Sequence, residues 1–335
     1  MRDIIAILRA AGEETRLRLL AVLARSELTV TELTQVLGQS QPRVSRHLKL
    51  LCEAGLVERV PEGSWVLYRL AGPPGPLRPA AAGDALLPAI IETLPAEDAV
   101  LQRDLERLNA VRRARADAAA QAMRLVADER GRIGSLHLPE ERIESAMCQL
   151  AGEGPFGFFV DLGTGTGRVL ELLGPRAALA EGVDLNRDML TLARANLDRA
   201  GLRHCRVRQG DILALPFASG SADLVTLHQV LHFLPDPAAA VAEAARLLRK
   251  NGRLMIVDFA PHDLEELRDD YAHRRLGFAD SEVRGWLKAN GIAFSAMRRL
   301  PENGAAPLTV CVWLGEQSRA VAEPVPMTPM VNVAE

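Results

Sequence analysis

The hydrophobic pattern of residues 1–70 changes from a helical period to a strand period. Apolar positions at helical spacing predict two helices before Ser26, and the positions are Ile5, Leu8, Leu17, Leu20 and Leu23. A short helix over Thr31–Leu37, a turn at Gly38-Gln39-Ser40 and a second helix over Gln41–Ala54 follow. This order of elements is that of a helix-turn-helix.

Two alternating segments, Val57–Val60 and Trp65–Arg69, flank the turn residues Pro61–Ser64 and predict a β-hairpin. A helix-turn-helix followed by a hairpin predicts a winged helix over residues 1–70. In the second helix Val44, Leu48 and Leu51 form the inward stripe. The polar residues of that helix therefore lie on its other faces.

Residues 71–138 are predicted to connect two domains. Ala71–Ala82 is rich in Pro, Gly and Ala and is typical of a linker. A helix over Ala85–Leu94 precedes a long one from Ala99 to about Glu129. The long helix has one apolar face and one arginine-rich face, so we interpret it as a connector and dimerisation helix. Its arginines are expected on a solvated face with helical Asp/Arg pairs.

Residues 139–315 alternate strands with helices, which predicts an α/β domain with a mostly parallel, Rossmann-like sheet. The predicted strands lie at Phe158, Leu179–Leu185, Cys205–Gln209, Asp223–Leu227 and Arg253–Asp258. The expected later elements are a helix over Pro237–Lys250, a helix over Ser281–Asn290, and a reversed hairpin of Phe294–Leu300 and Leu308–Leu314. Residues 316–335 lack periodicity and are expected to be a disordered tail.

Composition adds little beyond the number of domains. A chain of 335 residues with 48% hydrophobic content exceeds one ordinary core and indicates two domains. No apolar run approaches the roughly 20 residues of a membrane helix, and we expect a cytoplasmic protein. The four cysteines are scattered without metal-ligand spacing, which favours a reduced compartment and no metal site.

The most informative stretch is the apolar run from Phe158 that ends in Asp161 and turns at Gly163, Gly165 and Gly167. It is typical of a buried parallel strand that leads into a helix N-terminus, where the polar part of a nucleotide-like ligand binds. Asp184 ends the next predicted strand and can accept hydrogen bonds from ribose hydroxyls. The glycines alternate as G-x-G-x-G, unlike the G-x-G-x-x-G of dinucleotide sites.

This stretch resembles motif I of the class I S-adenosylmethionine (SAM) methyltransferases, and three further segments agree with it. The resemblance places ribose on Asp184 and adenine on Asp211 with Ile212 beside the ring. The residues that it implies for binding SAM, or S-adenosylhomocysteine (SAH), are Asp161, Gly163, Thr164, Gly165, Gly167, Asp184, Leu185, Asp211, Ile212 and His228. It names no acceptor.

Catalytic residues are not fixed by this family, whose members share the cofactor site. His228, His232 and Asp258 are weak candidates for a base, and packing or capping roles are at least as good an interpretation. No Asn-Pro-Pro-Tyr or Asp-Pro-Pro-Tyr segment follows the fourth strand and no Pro-Cys nucleophile occurs, which argues against base-modifying DNA methyltransferases. The pattern from His228 to Asp258 resembles enzymes that act on quinone precursors and similar small molecules.

The run Ser40–Val57 resembles the recognition helix of the ArsR family of dimeric bacterial repressors, and Thr15–Leu20 resembles its opening helix. The resemblance implies a homodimer that binds a double-stranded DNA operator. The residues expected to contact DNA are Ser40, Gln41, Arg43, Ser45, Arg46, Lys49 and Arg59. Threonines stand where metal-sensing members carry cysteines, and no histidine lies between His47 and His137. Metal sensing is therefore disfavoured.

Two functional hypotheses follow. In the first, a dimeric transcriptional regulator carries a methyltransferase-like domain that senses SAM or SAH or retains methyltransferase activity. In the second, the chain is an active small-molecule methyltransferase with an accessory winged helix. The sequence leaves open the acceptor, turnover, the operator and the sign of regulation.

Overall fold

The computed structural model describes residues 2–62, 65–72, 85–95, 97–134, 139–301 and 307–318, and gives only the backbone for residues 2, 3 and 119–134. The first unit is mostly helical with a small antiparallel sheet. Its elements are α1 (Arg2–Ala11), α2 (Glu14–Leu23), β1 (Leu28–Thr29), α3 (Val30–Leu37), α4 (Gln41–Glu53), β2 (Val57–Glu62) and β3 (Trp65–Leu70).

The turn between α3 and α4 has clear local causes. Thr29 and Glu32 form a reciprocal capping box at the start of α3, and Gly38 ends the helix in the left-handed region with φ 64°. Val44, Leu48 and Leu51 of α4 are fully buried in the core of the unit. Strands β2 and β3 pair from Val57–Leu70 to Glu62–Trp65. The predicted winged helix is confirmed.

Helices α5 (Leu86–Glu92) and α6 (Ala99–Gly134) follow the hairpin. Leu108 and Val111 of α6 are buried in the core of the winged helix of the same chain, and the dimerisation role of this helix stays a prediction. Its arginines are not simply solvated, because Arg112 and Arg115 make ion pairs with other elements. Residues 73–82 of the predicted linker lie outside the described residues.

The second unit is built on a seven-stranded sheet with the order β6-β5-β4-β7-β8-β10-β9. Its strands are β4 (Phe156–Leu162), β5 (Ala177–Asp184), β6 (Cys205–Gln209), β7 (Ala222–His228), β8 (Leu248–Phe259), β9 (Ile292–Leu300) and β10 (Val310–Gln317). The first five are parallel, and β10 is antiparallel to both of its neighbours. The predicted mostly parallel sheet and reversed hairpin are confirmed.

Helices cover both faces of this sheet. They are α7 (Glu140–Ala151), α8 (Arg168–Leu173), α9 (Arg187–Ala200), α10 (Pro237–Leu247), α11 (Glu266–Tyr271) and α12 (Asp280–Ala289). Consecutive residues Phe158 and Phe159 are both buried but belong to cores on opposite faces. The carboxyl ends of β4 to β8 therefore meet at one protected edge, where ligands bind in folds of this kind.

Two predicted boundaries are corrected by the structure. Helix α10 ends at Leu247 rather than Lys250 because Leu248 is buried and already pairs with Ala222. The backbone N–H groups of Gly220 and Ser221 donate to the last carbonyls of the helix. Strand β10 continues to Gln317, past the predicted strand end at Leu314, and residues 319–335 of the expected tail lie outside the described residues. No helix in the described ranges combines the length and apolar character needed to span a bilayer.

Candidate functional site

The loop after β4 forms a tight turn that depends on glycine. Gly163, Gly165 and Gly167 have φ values of 74°, 50° and 78°, in the left-handed region. The N–H groups of Gly163 and Thr164 donate to the carbonyl of Val183 at 2.8 and 3.0 Å. A Cβ at Gly163 would lie 2.4 Å from a methyl group of Val230. The turn is thus held against both neighbouring strands.

Asp184 at the end of β5 faces this turn. One carboxylate oxygen accepts a hydrogen bond from the N–H of Gly165 at 2.8 Å, and the other accepts from Asn186 at 2.7 Å. Leu185 beside it is 61% exposed. The structure therefore brings the glycine turn and Asp184 together, although they are separated by a helix in the sequence.

Asp161 lies deeper than Asp184 and is 1% exposed. Its Oδ1 accepts a hydrogen bond from the Thr226 hydroxyl at 2.5 Å. Its Oδ2 and the Thr164 hydroxyl are buried and have no hydrogen-bond partner among the described residues. Burial raises the pKa of Asp161 to about 6, against the opposing effects of the Thr226 hydroxyl and of the nearby Thr164 hydroxyl. An unpartnered acceptor of this kind suits a cationic or hydrogen-bond-donating ligand group.

Asp211 and Ile212 follow β6 at the same edge of the sheet. The Asp211 side chain is exposed, and its carboxylate accepts from the N–H of Leu213 at 2.9 Å. Ile212 is 4% exposed and packs in the core. Within the described part of the chain, no hydrogen bond joins Asp211 or Ile212 to the glycine turn.

The loop after β7 contains one feature that the sequence did not indicate. Gln229 adopts φ 49°, a conformation unusual for a residue other than glycine. Its backbone N–H donates to Val257 at 2.7 Å, while its side-chain Nε2 is buried without a partner in the described structure. His228 precedes it and lies half-buried, with Nε2 3.6 Å from a Glu140 oxygen.

His232 and Asp258 form a buried pair at the next strand end. Nδ1 of His232 lies 2.8 Å from the Asp258 carboxylate, which also accepts from the N–H groups of Leu231 and Phe259. The His232 ring stacks on His273 at 4.1 Å. Burial lowers the pKa of His273 to about 4, and His232 acts in the same direction. These contacts anchor the loop after β7 to β8, and the sequence interpretation missed His273.

The expected DNA-contacting residues share one property, which is that all are exposed. They are Ser40, Gln41, Arg43, Ser45, Arg46 and Lys49 on and before α4, and Arg59 on β2. Ser40 occupies the N-cap position of α4 without a capping hydrogen bond from its side chain. Because the opposite face of α4 is buried, the helix presents a largely polar face, with Leu50 as an exposed apolar residue in its last turns.

Two family models match separate parts of this architecture. One, described as bacterial regulatory protein, arsR family, matches residues 13–59, which cover the helix-turn-helix and the first half of strand β2. The other, described as methyltransferase domain, matches residues 160–256, from the glycine turn to β8. The chain joins an ArsR-family winged helix to a class I methyltransferase domain.

Curated relatives match one unit or the other. The methyltransferase domain is similar to an uncharacterized methyltransferase of Bacillus subtilis, YcgJ, with 30% identity over 150 residues, 42% of this chain and 58% of that protein. It is also 38% identical over 104 residues to the demethylmenaquinone methyltransferase of Thermus thermophilus, 30% of this chain and 47% of that protein. The winged helix is 44% identical over 68 residues to the arsenical resistance operon repressor of Escherichia coli, 20% of this chain and 58% of that protein. The chain therefore spans about half the length of these relatives.

The wing of the ArsR-type unit packs directly on the methyltransferase domain. The Arg187 guanidinium at the start of α9 lies 4.0 Å from the centre of the Trp65 ring. Glu62 pairs with Arg194 of α9 and accepts from the N–H of Gln209 at 3.2 Å. No sequence pattern indicated this contact, since the residues involved are common surface types and are more than 100 positions apart.

Proposed function

We propose that this protein is a DNA-binding transcriptional regulator whose methyltransferase domain binds SAM or SAH and whose operator affinity responds to that ligand. The observation that carries the proposal is the contact of the wing with the two strand ends that hold the candidate cofactor residues. Asp184 is three residues from Arg187, which stacks on Trp65 of the wing. Gln209, whose N–H donates to Glu62 of the wing, is two residues from Asp211.

The cofactor assignment uses the chemistry of the turn. The unpartnered Oδ2 of Asp161 fits the ammonium of the methionine part, directly or through water, and Asp184 fits the ribose hydroxyls. Asp211 and Leu185 then border the adenine, with Gly163, Thr164, Gly165 and Gly167 beneath the ligand. Ile212 supports this wall from the core, and His228 borders the site at the end of β7.

The DNA assignment uses the exposed face of α4. Arg43 and Arg46 have the length and charge to reach guanine edges or phosphates from the major groove, and Gln41 can pair with adenine. Exposed apolar residues on α1, namely Ile4, Ile5 and Leu8, are 43%, 43% and 52% accessible. We propose that they pack against a second copy, so that two α4 helices meet successive half-sites of an operator. A cytoplasmic location follows from this role.

Coupling needs a ligand that favours one arrangement of the wing over another. A tenfold change in operator affinity corresponds to about 1.4 kcal/mol of coupling. The proposed mechanism is that ligand binding to Asp184 shifts the turn that leads into α9, and with it the Arg187–Trp65 contact. The wing carries Arg59, so its position affects the DNA-binding surface.

Ligand binding is tested by isothermal titration calorimetry with SAM and SAH. We expect Asp184→Ala to weaken binding of both at least tenfold, because the ribose loses its acceptor. Asp188→Ala, which removes an exposed carboxylate one turn further along, is the matched control and should bind as the wild type does. Equal affinity of Asp184→Ala and wild type would refute the placement of the cofactor.

Regulation is tested by gel-shift titration with the DNA upstream of the protein's own gene at fixed salt, with and without SAM or SAH. We expect wild-type operator affinity to change at least several-fold with one of the ligands. Trp65→Ala should still bind DNA and ligand but should lose most of that response. A wild-type protein indifferent to both ligands, or a Trp65→Ala variant with a full response, would contradict the mechanism.

The second candidate is methyl transfer to a small molecule. The complete set of candidate cofactor residues favours it, as does the similarity to a demethylmenaquinone methyltransferase. In such a reaction the acceptor nucleophile takes the methyl group from the sulfonium, SAH leaves, and a base accepts the acceptor's proton. His232 with Asp258 and the half-buried His228 are the candidate groups at this edge. Formation of SAH in the presence of a quinone-precursor analogue separates this candidate from a purely sensing role.

A further inference from the structure

A cavity lies between the winged helix and the methyltransferase domain. It has a volume of about 140 Å³ and is formed by the turn after α2, the end of β3, α6, α9 and the start of β6. It borders Cys205 at the amino end of β6, whereas Asp184 and Asp211 lie at the carboxyl ends of their strands. The cavity is therefore separate from the candidate cofactor site.

Arginines outnumber carboxylates in the lining of this cavity, although Glu32, Glu58, Glu62 and Glu181 behind the lining pair with some of these arginines. Two acidic residues, Glu27 and Asp198, line it. Six arginines also line it, namely Arg25, Arg69, Arg115, Arg194, Arg203 and Arg206. An arginine-rich lining of this kind favours an anionic ligand over an apolar or a neutral polar one.

Two of these arginines are satisfied by the protein itself. Arg115 makes two hydrogen bonds to the Glu32 carboxylate at 2.6 and 2.7 Å. Arg69 donates to Glu58 at 2.8 Å and lies within 3.5 Å of Glu27 and Glu181. These two arginines hold the interface together and need no ligand.

Arg206 and the Nε atom of Arg194 are less completely satisfied, although the Arg194 guanidinium pairs with Glu62 and its Nε lies 3.7 Å from a Glu27 oxygen. The Arg206 side chain is 14% exposed, and its guanidinium makes only a long hydrogen bond of 3.5 Å to the Leu70 carbonyl, while the nearest carboxylate among the described residues, that of Glu58, is 4.0 Å away. Burial lowers the pKa of Arg206, and the neighbouring Arg69 guanidinium acts in the same direction. Nε of Arg194 is buried without a hydrogen-bond partner in the described part of the chain. Both groups are donors that a buried anion would satisfy.

We propose that this interdomain cavity binds a small, doubly charged oxyanion of the phosphate class. Arg206 and Nε of Arg194 bind it inside the cavity, and the exposed Arg25 and Arg203 complete the site at its rim. Guanidinium groups match the oxygen geometry of phosphate through paired N–H donors. Because Arg25 belongs to the winged helix and Arg203 and Arg206 to the methyltransferase domain, the anion stabilises the packing of one on the other.

The test is thermal denaturation of the full chain, with a parallel calorimetric titration, in inorganic phosphate against chloride at matched ionic strength. We expect a saturable increase in the unfolding temperature with phosphate that chloride does not give. Arg206→Gln should weaken phosphate binding at least tenfold, while Arg113→Gln, an exposed arginine of α6 outside the cavity, should bind as the wild type does. Equal stabilisation by chloride, or unchanged binding by Arg206→Gln, would overturn the proposal.

Two further variants and a second ligand test where the anion binds and what its source is. The double variant Arg25→Gln/Arg203→Gln changes only exposed residues, so it should fold and bind phosphate several-fold more weakly, and unchanged binding would count against the site. Asp184→Ala should retain the phosphate response, whereas loss of the response would place the anion at the cofactor site instead. Glycerol 3-phosphate is compared with inorganic phosphate, and tighter binding of the ester would identify a phosphorylated metabolite rather than the free anion as the source.

Discussion

At the scale of single residues, two carboxylates at one turn have different roles because they differ in burial. Asp184 accepts two backbone hydrogen bonds near the surface. Asp161 is enclosed and has one oxygen without a partner in the described structure. Burial without a compensating cation disfavours the charged form, and this is why the pKa of Asp161 is raised to about 6.

This difference predicts a pH dependence for Asp161→Asn. The folded state keeps the Asp161 proton to a higher pH than the unfolded chain does, because its pKa is raised from 3.8 to about 6. The carboxyl group therefore contributes stability below pH 4 that is lost as the pH rises to about 6. We expect the variant to gain stability relative to the wild type across pH 4 to 6, and the difference to level off above that.

The measurement is urea unfolding of ligand-free protein at several pH values. Taking the difference between variant and wild type removes the contribution of His273, whose pKa is lowered to about 4 and whose own effect has the opposite slope. A difference that is constant from pH 4 to 7 would show that Asp161 is not protonated in the fold. Added SAM should reverse the advantage of the variant at neutral pH, because the ligand's ammonium favours the ionised carboxylate.

At the scale of elements, the turn after β4 is determined by its glycines through both conformation and space. Gly163 and Gly201 both have positive φ. Gly201, which ends α9 at φ 71°, differs from Gly163 in having nothing within 4 Å of an added Cβ. Gly163 has the additional constraint that an added Cβ would meet Val230 at 2.4 Å. These two positions separate backbone strain from steric contact.

We predict that Gly163→Ala destabilises the protein more than Gly201→Ala does. The control is expected to cost about 1 kcal/mol for the left-handed conformation. Gly163→Ala should cost about 1 to 3 kcal/mol more, because the turn must move away from Val230. Thermal or urea unfolding measures both, and equal losses would show that the turn is not packed as described.

At the scale of the whole molecule, ion pairs join the two domains. Arg69 of the wing and Arg208 of β6 both lie near the buried Glu181 of β5, at 3.5 and 3.2 Å. Helix α6 adds Arg112, which pairs with Asp198 of α9. These contacts hold the wing and α6 against the methyltransferase domain, while the polar residues of α4 remain exposed.

With α4 in this position, we predict that Arg43→Ala/Arg46→Ala weakens operator binding at least tenfold. Loss of a base contact should cost about 1 to 3 kcal/mol, and each lost phosphate contact should lower the salt slope by about 1. Arg142→Ala, an exposed arginine of α7, is the control. Fluorescence anisotropy over a range of salt concentrations measures both quantities, and an unchanged slope with unchanged affinity would exclude α4 as the recognition helix.

The sequence by itself determined most of the elements and the local turns. Periodicity located α4, the wing and the parallel strands because side-chain burial repeats every 3.6 residues in a helix and every two in a strand. The glycines after Asp161 and the carboxylate of Asp184 could be recognised as candidate site residues in the sequence, because a tight turn at a ligand-binding strand end permits few other residue types. The resemblance to two families followed from these same short segments.

Only the tertiary structure decided what α6 contacts, how the wing meets the methyltransferase domain, and which polar atoms are left without partners. Leu108 and Val111 have the same pattern whether a helix packs on its own chain or on a second copy. Likewise, Arg206 in the sequence is one arginine among many, and its burial beside Arg69 depends on residues 137 positions apart. Such properties arise from the packing of distant elements, and a local pattern carries no information about them.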